Sequence, residues 1–83
     1  MVDYIIKPVA TEKTMLHVEK ENKLTFIVHK KSTKAEIKKE VEERFSVKVD
    51  SVNMLITKAG KKAVVKLSSE YSADDIAGRI GIF

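Results

Sequence analysis

The chain has no cysteine and no tryptophan, a single proline and three glycines among its 83 residues. Without cysteine there is no disulfide staple, no thiolate metal site and no cysteine nucleophile, and nothing indicates an oxidising compartment. Aromatic residues make up only 6% of it: Tyr4, Phe26, Phe45, Tyr71 and Phe83. That is too little to build a platform on which single-stranded bases stack. Met1 to Lys7 lacks the apolar run of a signal peptide, and no stretch approaches the about 20 apolar residues of a membrane span. A soluble cytoplasmic protein is the expectation. Gly60, Gly78 and Gly81 are scattered and form no glycine-rich phosphate cradle. His17 and His29 stand apart and form no ligand set at metal spacing, so no metal or other cofactor is expected. Small phosphate-ester hydrolases use an arginine with an asparagine, and Asn53 fits that part. Arg44, however, sits among helix glutamates and Arg79 near the terminus, and no nucleophile with a base is recognisable. The chain reads as a non-enzyme.

What is present is lysine, unevenly spread. The net charge is +4, but Lys23 to Lys39 carries six lysines and one acid, and Lys58 to Lys66 carries four lysines and none. The rest of the chain is therefore net acidic. Two basic blocks on an acidic background suggest a polyanion footprint, with surface lysine kept for solubility as the plainer alternative. At this length one domain spanning residues 1–83 hides only about 60% of its chain surface on folding, which disfavours a deep enclosed site.

The local patterns give an element order. Tyr4, Ile5 and Ile6 predict a short first strand stopped by Pro8. Thr11 is a helix cap, Met15, Leu16 and Val18 form that helix's apolar side, and Asn22 suits a left-handed stop. Lys23 to His29 alternates as a strand, with Ile27 apolar on its second face. Thr33 and Glu36 have capping-box spacing, and Ile37, Val41 and Phe45 make one apolar stripe on the helix they open. Its other faces carry charges four apart, such as Glu40 with Arg44, which read as a self-neutralising solvated surface. Val47 and Val49 are out of phase with Val52, Met54 and Ile56, so the chain bends or bulges near Asp50 and Ser51. Val52, Met54 and Ile56 then form one strand face with Leu55 opposite, and Ala63, Val65 and Leu67 form another with Val64 opposite. Lys58 to Lys61 makes a short basic hairpin loop in which Gly60 permits positive φ. Ser72 with Asp75 announces a last helix stapled by Tyr71 and Ile76 and burying Ile76, Ala77 and Ile80, and Ile82 and Phe83 suggest a docked terminus. Apolar residues on both strand faces argue for helices partly covering each side. The expected fold is α+β, three layers α/β/α around a mainly antiparallel sheet of about four strands, in the order strand, helix, strand, helix, strand, strand, helix.

Several phrases in this order are distinctive together: Ile6-Lys7-Pro8-Val9-Ala10-Thr11-Glu12-Lys13, Asn22-Lys23-Leu24-Thr25-Phe26, Thr33-Lys34-Ala35-Glu36-Ile37-Lys38, Val52-Asn53-Met54-Leu55 and Lys62-Ala63-Val64-Val65-Lys66-Leu67. They span nearly the whole chain, which resembles large-subunit ribosomal protein family twenty-three. The ending from Asp75-Ile76-Ala77 to Gly81 is similar to its archaeal branch. The resemblance implies a ribosomal protein that binds large-subunit ribosomal RNA at the rim of the polypeptide exit tunnel. It also implies a neighbouring ribosomal protein of family twenty-nine and a docking site for nascent-chain factors such as the signal recognition particle. Bacterial members carry a long extension between the last two strands, and Thr57 to Lys62 leaves no room for one.

Candidate contacts follow from charge and from the resemblance. Lysines bind RNA chiefly through phosphates, giving affinity and placement more than base reading. Lys58, Lys61, Lys62 and Lys66 come first; Lys62 and Lys66 share a strand face, and Lys58, Lys61 and Lys62 are expected to be exposed. Edge-strand protection is their alternative use. Lys30, Lys31 and Lys34 gather where a strand meets a helix, a place that also suits a polar loop. Lys7, Thr11 and Lys13 belong to the family signature, with helix capping as the other role for Thr11. Asn53 offers an amide to a base or sugar, or to an adjoining loop. In bacterial relatives the signature's acid helps dock a chaperone, and Glu12 matches it. A protein adaptor that binds no nucleic acid is the competing reading, and it leaves both basic blocks without a use.

Overall fold

Every helix starts on a hydroxyl cap. Thr11 accepts from the Thr14 amide at 3.2 Å while the Thr14 hydroxyl accepts from the Thr11 amide, opening α1 (Glu12–Glu21). Thr33 and Glu36 close the predicted reciprocal box at the start of α2 (Lys34–Phe45). Ser72 accepts from the Asp75 amide to open α3 (Ala73–Ile80). Such caps satisfy amides that have no partner within the helix. Left-handed residues end the helices: Asn22 at φ 57° and Ser46 at φ 55°, with Gly81 at φ 76°.

The computed structural model describes residues 4–58 and 60–81. Its strands are β1 (Ile5–Pro8), β2 (Lys23–Val28), β3 (Val49–Thr57) and β4 (Gly60–Leu67). They form one antiparallel sheet in the order β1-β2-β4-β3, so the α+β fold and the expected element order hold. The register shifts between Val49 and Ser51, leaving Asp50 as the extra residue of a bulge. That bulge lets Val47, Val49 and Val52 all be buried despite their phases.

Pairing assigns the two faces. Leu24, Phe26 and Val28 share a face with Val65, Ala63, Val52 and Met54, and all seven elements contribute to the buried cluster built there, including Val18, Ile37, Val41, Ile76 and Ala77. Phe26 stacks on Phe45 with ring centroids 6.2 Å apart. The reverse face is covered over β2, where Thr25 and Ile27 are buried, and open over β3, where Asn53 and Leu55 are exposed.

Two apolar expectations fail. Ile56 shares the core parity yet is 89% exposed, because alternation fixes a side chain's face but not how far the covering helices extend. Leu16 is exposed on α1, whose buried apolar residue is Val18. The docking expected of Ile82 and Phe83, and the loop residue Ala59, lie outside the described residues.

Candidate nucleic-acid interface

The sheet register arranges the lysines. Lys7 on β1 lies opposite Ile27, Ile27 opposite Lys62, and Lys62 opposite Leu55, forming one row across the reverse face. Two residues further along β2 and β4 come Thr25, Val64 and Asn53, and two beyond them Lys23, Lys66 and Ser51. Lys62 and Lys66 therefore share a face, as their spacing requires. Lys23 and Lys66 are directly opposed, an arrangement that costs stability unless an anion intervenes. Lys23 has one in Glu21, 3.7 Å away, and Lys66 lines a hollow together with Asp50. Among the described residues no acid lines the hollow of about 300 Å³ bounded by Lys7, Pro8, Val9, Ala10, Ile27 and Lys62.

Lys61 corrects the sequence reading. It lies on the core face, opposite Val28 and Ile56, and is half-buried instead of exposed. Its ammonium donates to the Ser32 carbonyl at 2.9 Å and the Lys30 carbonyl at 3.3 Å. The half-buried state follows from this role, since the chain turning from β2 into α2 needs donors for its carbonyls. Lys62 is likewise half-buried, its stem in the row between Ile27 and Leu55, whereas Lys58 is exposed at the hairpin.

The Lys61 bonds also join the two basic blocks. Lys30, Lys31 and Lys34 are exposed at the end of the sheet where β2 stops, beside the β3–β4 turn that carries Lys58. Lys7 and Lys62 lie one residue further into the sheet, and Tyr4, His29, Lys30 and Lys31 line a second hollow of about 330 Å³. Two acids at this end, Glu40 and Glu36, are engaged in structure. Glu40 accepts from the Tyr4 and Ile5 amides at 2.6 and 3.0 Å and pairs with Arg44 at 3.3 Å. Glu36 caps α2 and bonds the Tyr4 side chain, which holds its carboxyl below the ordinary 4.5 and raises the Tyr4 phenol above 10.0.

Other candidates lie apart. Thr11 is occupied as a cap, and Glu12 and Lys13 are exposed on the first turn of α1. Glu12 lines an open hollow of about 480 Å³ with Met15, Leu16 and Glu19. Asn53 is exposed between Val64 and the open edge of β3. His17 lies 3.6 Å from Glu21, and among the described residues no cluster has a metal's ligand set. Sequence reasoning missed Asn22, which beyond ending α1 donates to the Tyr71 carbonyl at 2.8 Å and accepts from the Ala73 amide at 2.7 Å. Only its tolerance of positive φ was visible in the sequence.

The family model described as Ribosomal protein L23 matches residues 3–72. The chain belongs to the ribosomal protein L23 family. Large ribosomal subunit protein uL23 of Picrophilus torridus is 60% identical over 82 residues, covering 99% of this chain and all of the relative. The protein of that name from Thermoplasma acidophilum is 62% identical over 81 residues, 98% of this chain and 96% of the relative. As an L23-family member of archaeal type, the chain is a structural protein of the cytoplasmic ribosome and not an enzyme. None of its described helices is long and apolar enough to cross a membrane.

Proposed function

We propose that this L23-family chain acts as a single RNA-binding domain over residues 1–83, holding large-subunit ribosomal RNA at the exit-tunnel rim. The observation that carries the reading is the convergence of two basic blocks, distant in sequence, on one end of the sheet, while Glu36 and Glu40 there are engaged by the fold. Lys7, Lys30, Lys31, Lys34, Lys58 and Lys62 supply the phosphate contacts. Lys66 and Asn53 extend them along the open sheet face, and Lys13 adds charge from α1. Lys61 and Thr11 act one step back, by shaping the loop and the helix start. The exposed Ile56, near the end of the edge strand β3, faces a protein neighbour, for which the family offers ribosomal protein twenty-nine. Glu12 and Glu19 around Met15 and Leu16 offer an acid-rimmed apolar hollow to a basic amphipathic segment of a nascent-chain factor, the signal recognition particle included.

Binding of the purified protein to folded large-subunit ribosomal RNA and to an equal mass of unrelated structured RNA, across a salt series, tests the reading. Preference for the ribosomal RNA near physiological salt is expected. Each neutralised phosphate contributes about −0.7 to −0.9 to the log-log slope, so replacing Lys58 and Lys62 by Gln should flatten it by about 1.5. Equal, weak binding to both RNAs, or affinity insensitive to salt, would sink the assignment and favour a protein adaptor. Glu12→Lys should weaken factor binding to reconstituted ribosomes without lowering RNA affinity.

A further inference from the structure

The hollow between Lys7 and Lys62 has a construction that phosphate binding alone does not explain. Its floor is aliphatic: Pro8, Val9 and Ala10 on one side and the buried Ile27 beneath. Lysines stand on both sides, because Lys7 and Lys62 flank Ile27 in the same cross-strand row. Neighbouring strands lie about 4.8 Å apart, which puts the two lysine backbones about 10 Å from each other with the floor between them. Its about 300 Å³ is at the small end of ligand-sized sites. A duplex backbone would use the ammonium groups and leave the apolar floor facing water.

We propose that this hollow receives one unstacked nucleotide of the bound RNA, its base laid on the Pro8, Val9 and Ile27 floor and its adjoining phosphates held by Lys7 and Lys62. The inference rests on the RNA-binding reading above and adds the form of RNA recognised: a base splayed out of a loop or bulge instead of a paired helix. Single-stranded loops and bulges are where RNA offers unstacked bases to proteins. The floor is firm, since the Val9 amide donates to the Thr25 carbonyl at 2.9 Å and the Thr14 hydroxyl to the Val9 carbonyl at 3.0 Å. Lysine stems lying along apolar surface with their ammonium groups free suit such a ligand. Ligand and site match in charge as well, because the described lining holds two lysines and no acid.

Filling the hollow separates base insertion from charge. Ala10 is exposed and lines it, so Ala10→Leu and Ala10→Ile add aliphatic volume there without altering charge. Two shapes are used so that a misfolded variant, recognised by its melting midpoint, does not decide the outcome. In titrations of folded large-subunit ribosomal RNA, both fillers should weaken binding about tenfold with the salt slope unchanged. Ala10→Ser, which leaves the hollow open, should weaken binding less than either filler. Lys7→Gln with Lys62→Gln should flatten the slope by about 1.5. Folded fillers that bind normally, beside a lysine pair that flattens the slope, would overturn the nucleotide site and leave RNA binding standing. Fillers and lysine variants that both bind normally would overturn the two together.

Discussion

Asn22 shows how much one residue can decide. Its backbone ends α1 in the left-handed region, and its side chain holds the carbonyl of Tyr71 and the first amide of α3. Asn22→Ala should lose those bonds and force a β-carbon into an unfavourable φ, costing about 2–4 kcal/mol in a denaturant titration. Asn22→Gly should recover about 1 kcal/mol of that, the share owed to φ alone; equal losses in the two variants would count against the side chain's part. The adjacent lysines Lys61 and Lys62 divide in the same manner. Lys61→Gln should cost about 1–2 kcal/mol of stability, because two loop carbonyls lose a donor, whereas Lys62→Gln should leave the melting midpoint in place and lower RNA affinity. Similar midpoints for both variants would show that the Lys61 bonds carry no weight. Ile56, at 89% exposure, should tolerate replacement by Ser within about 0.5 kcal/mol, while Ile37→Ala in the core should cost about 2–5 kcal/mol.

At the scale of elements, β1 is the most dependent. It is a four-residue edge strand paired with β2, and Glu40 of α2 holds its Ile5 amide and the Tyr4 amide just before it. Glu40, which the sequence presents as part of a solvated face, and Glu36, which it presents as a cap of α2, both latch the start of β1 to α2. Glu36 has a depressed folded pKa, caused first by the Tyr4 side chain and then by the Thr33 backbone. Its contribution is therefore fully present above the unfolded value of 4.5 and lost as pH falls through the lower folded value. Tyr4 has the opposite sign: raised above 10.0 by the same bond, it contributes below that value and loses its share as pH rises through the folded pKa. Amide exchange in β1 should accordingly accelerate below about pH 4.5 and again above about pH 10, relative to β4 and after correction for intrinsic rates. Tyr4→Phe should bring the Glu36 titration back toward 4.5, followed by carboxyl NMR; an unmoved titration would refute this account of the latch.

Over the whole molecule, the separation of charge follows from folding more than from composition. Lys23–Lys39 and Lys58–Lys66 become neighbours because β2 and β4 pair, and Glu36 and Glu40, which share their end of the sheet, are engaged in a cap and a latch. Salt should therefore weaken RNA binding while leaving stability nearly unchanged, since the bonds of Glu36 and Glu40 to backbone amides are short and local. Parallel salt series of RNA affinity and of melting midpoint check this; a midpoint falling as steeply as affinity would refute it.

The element order, the helix starts at Thr11, Thr33 and Ser72, and the bulge at Asp50 were legible because they arise from neighbours a few residues apart, whose hydrogen bonds and phases are local. The same is true of the family phrases and of the even spacing that puts Lys62 and Lys66 on one face. What lay beyond the sequence was every relation between strands: that Lys7, Ile27 and Lys62 form a row, that Lys61 lies on the core face and ties the β2–α2 loop, and that Ile56 projects past the helical cover. Strand order and register are set by which apolar faces pack together across the whole chain, so they appear only once the core has closed.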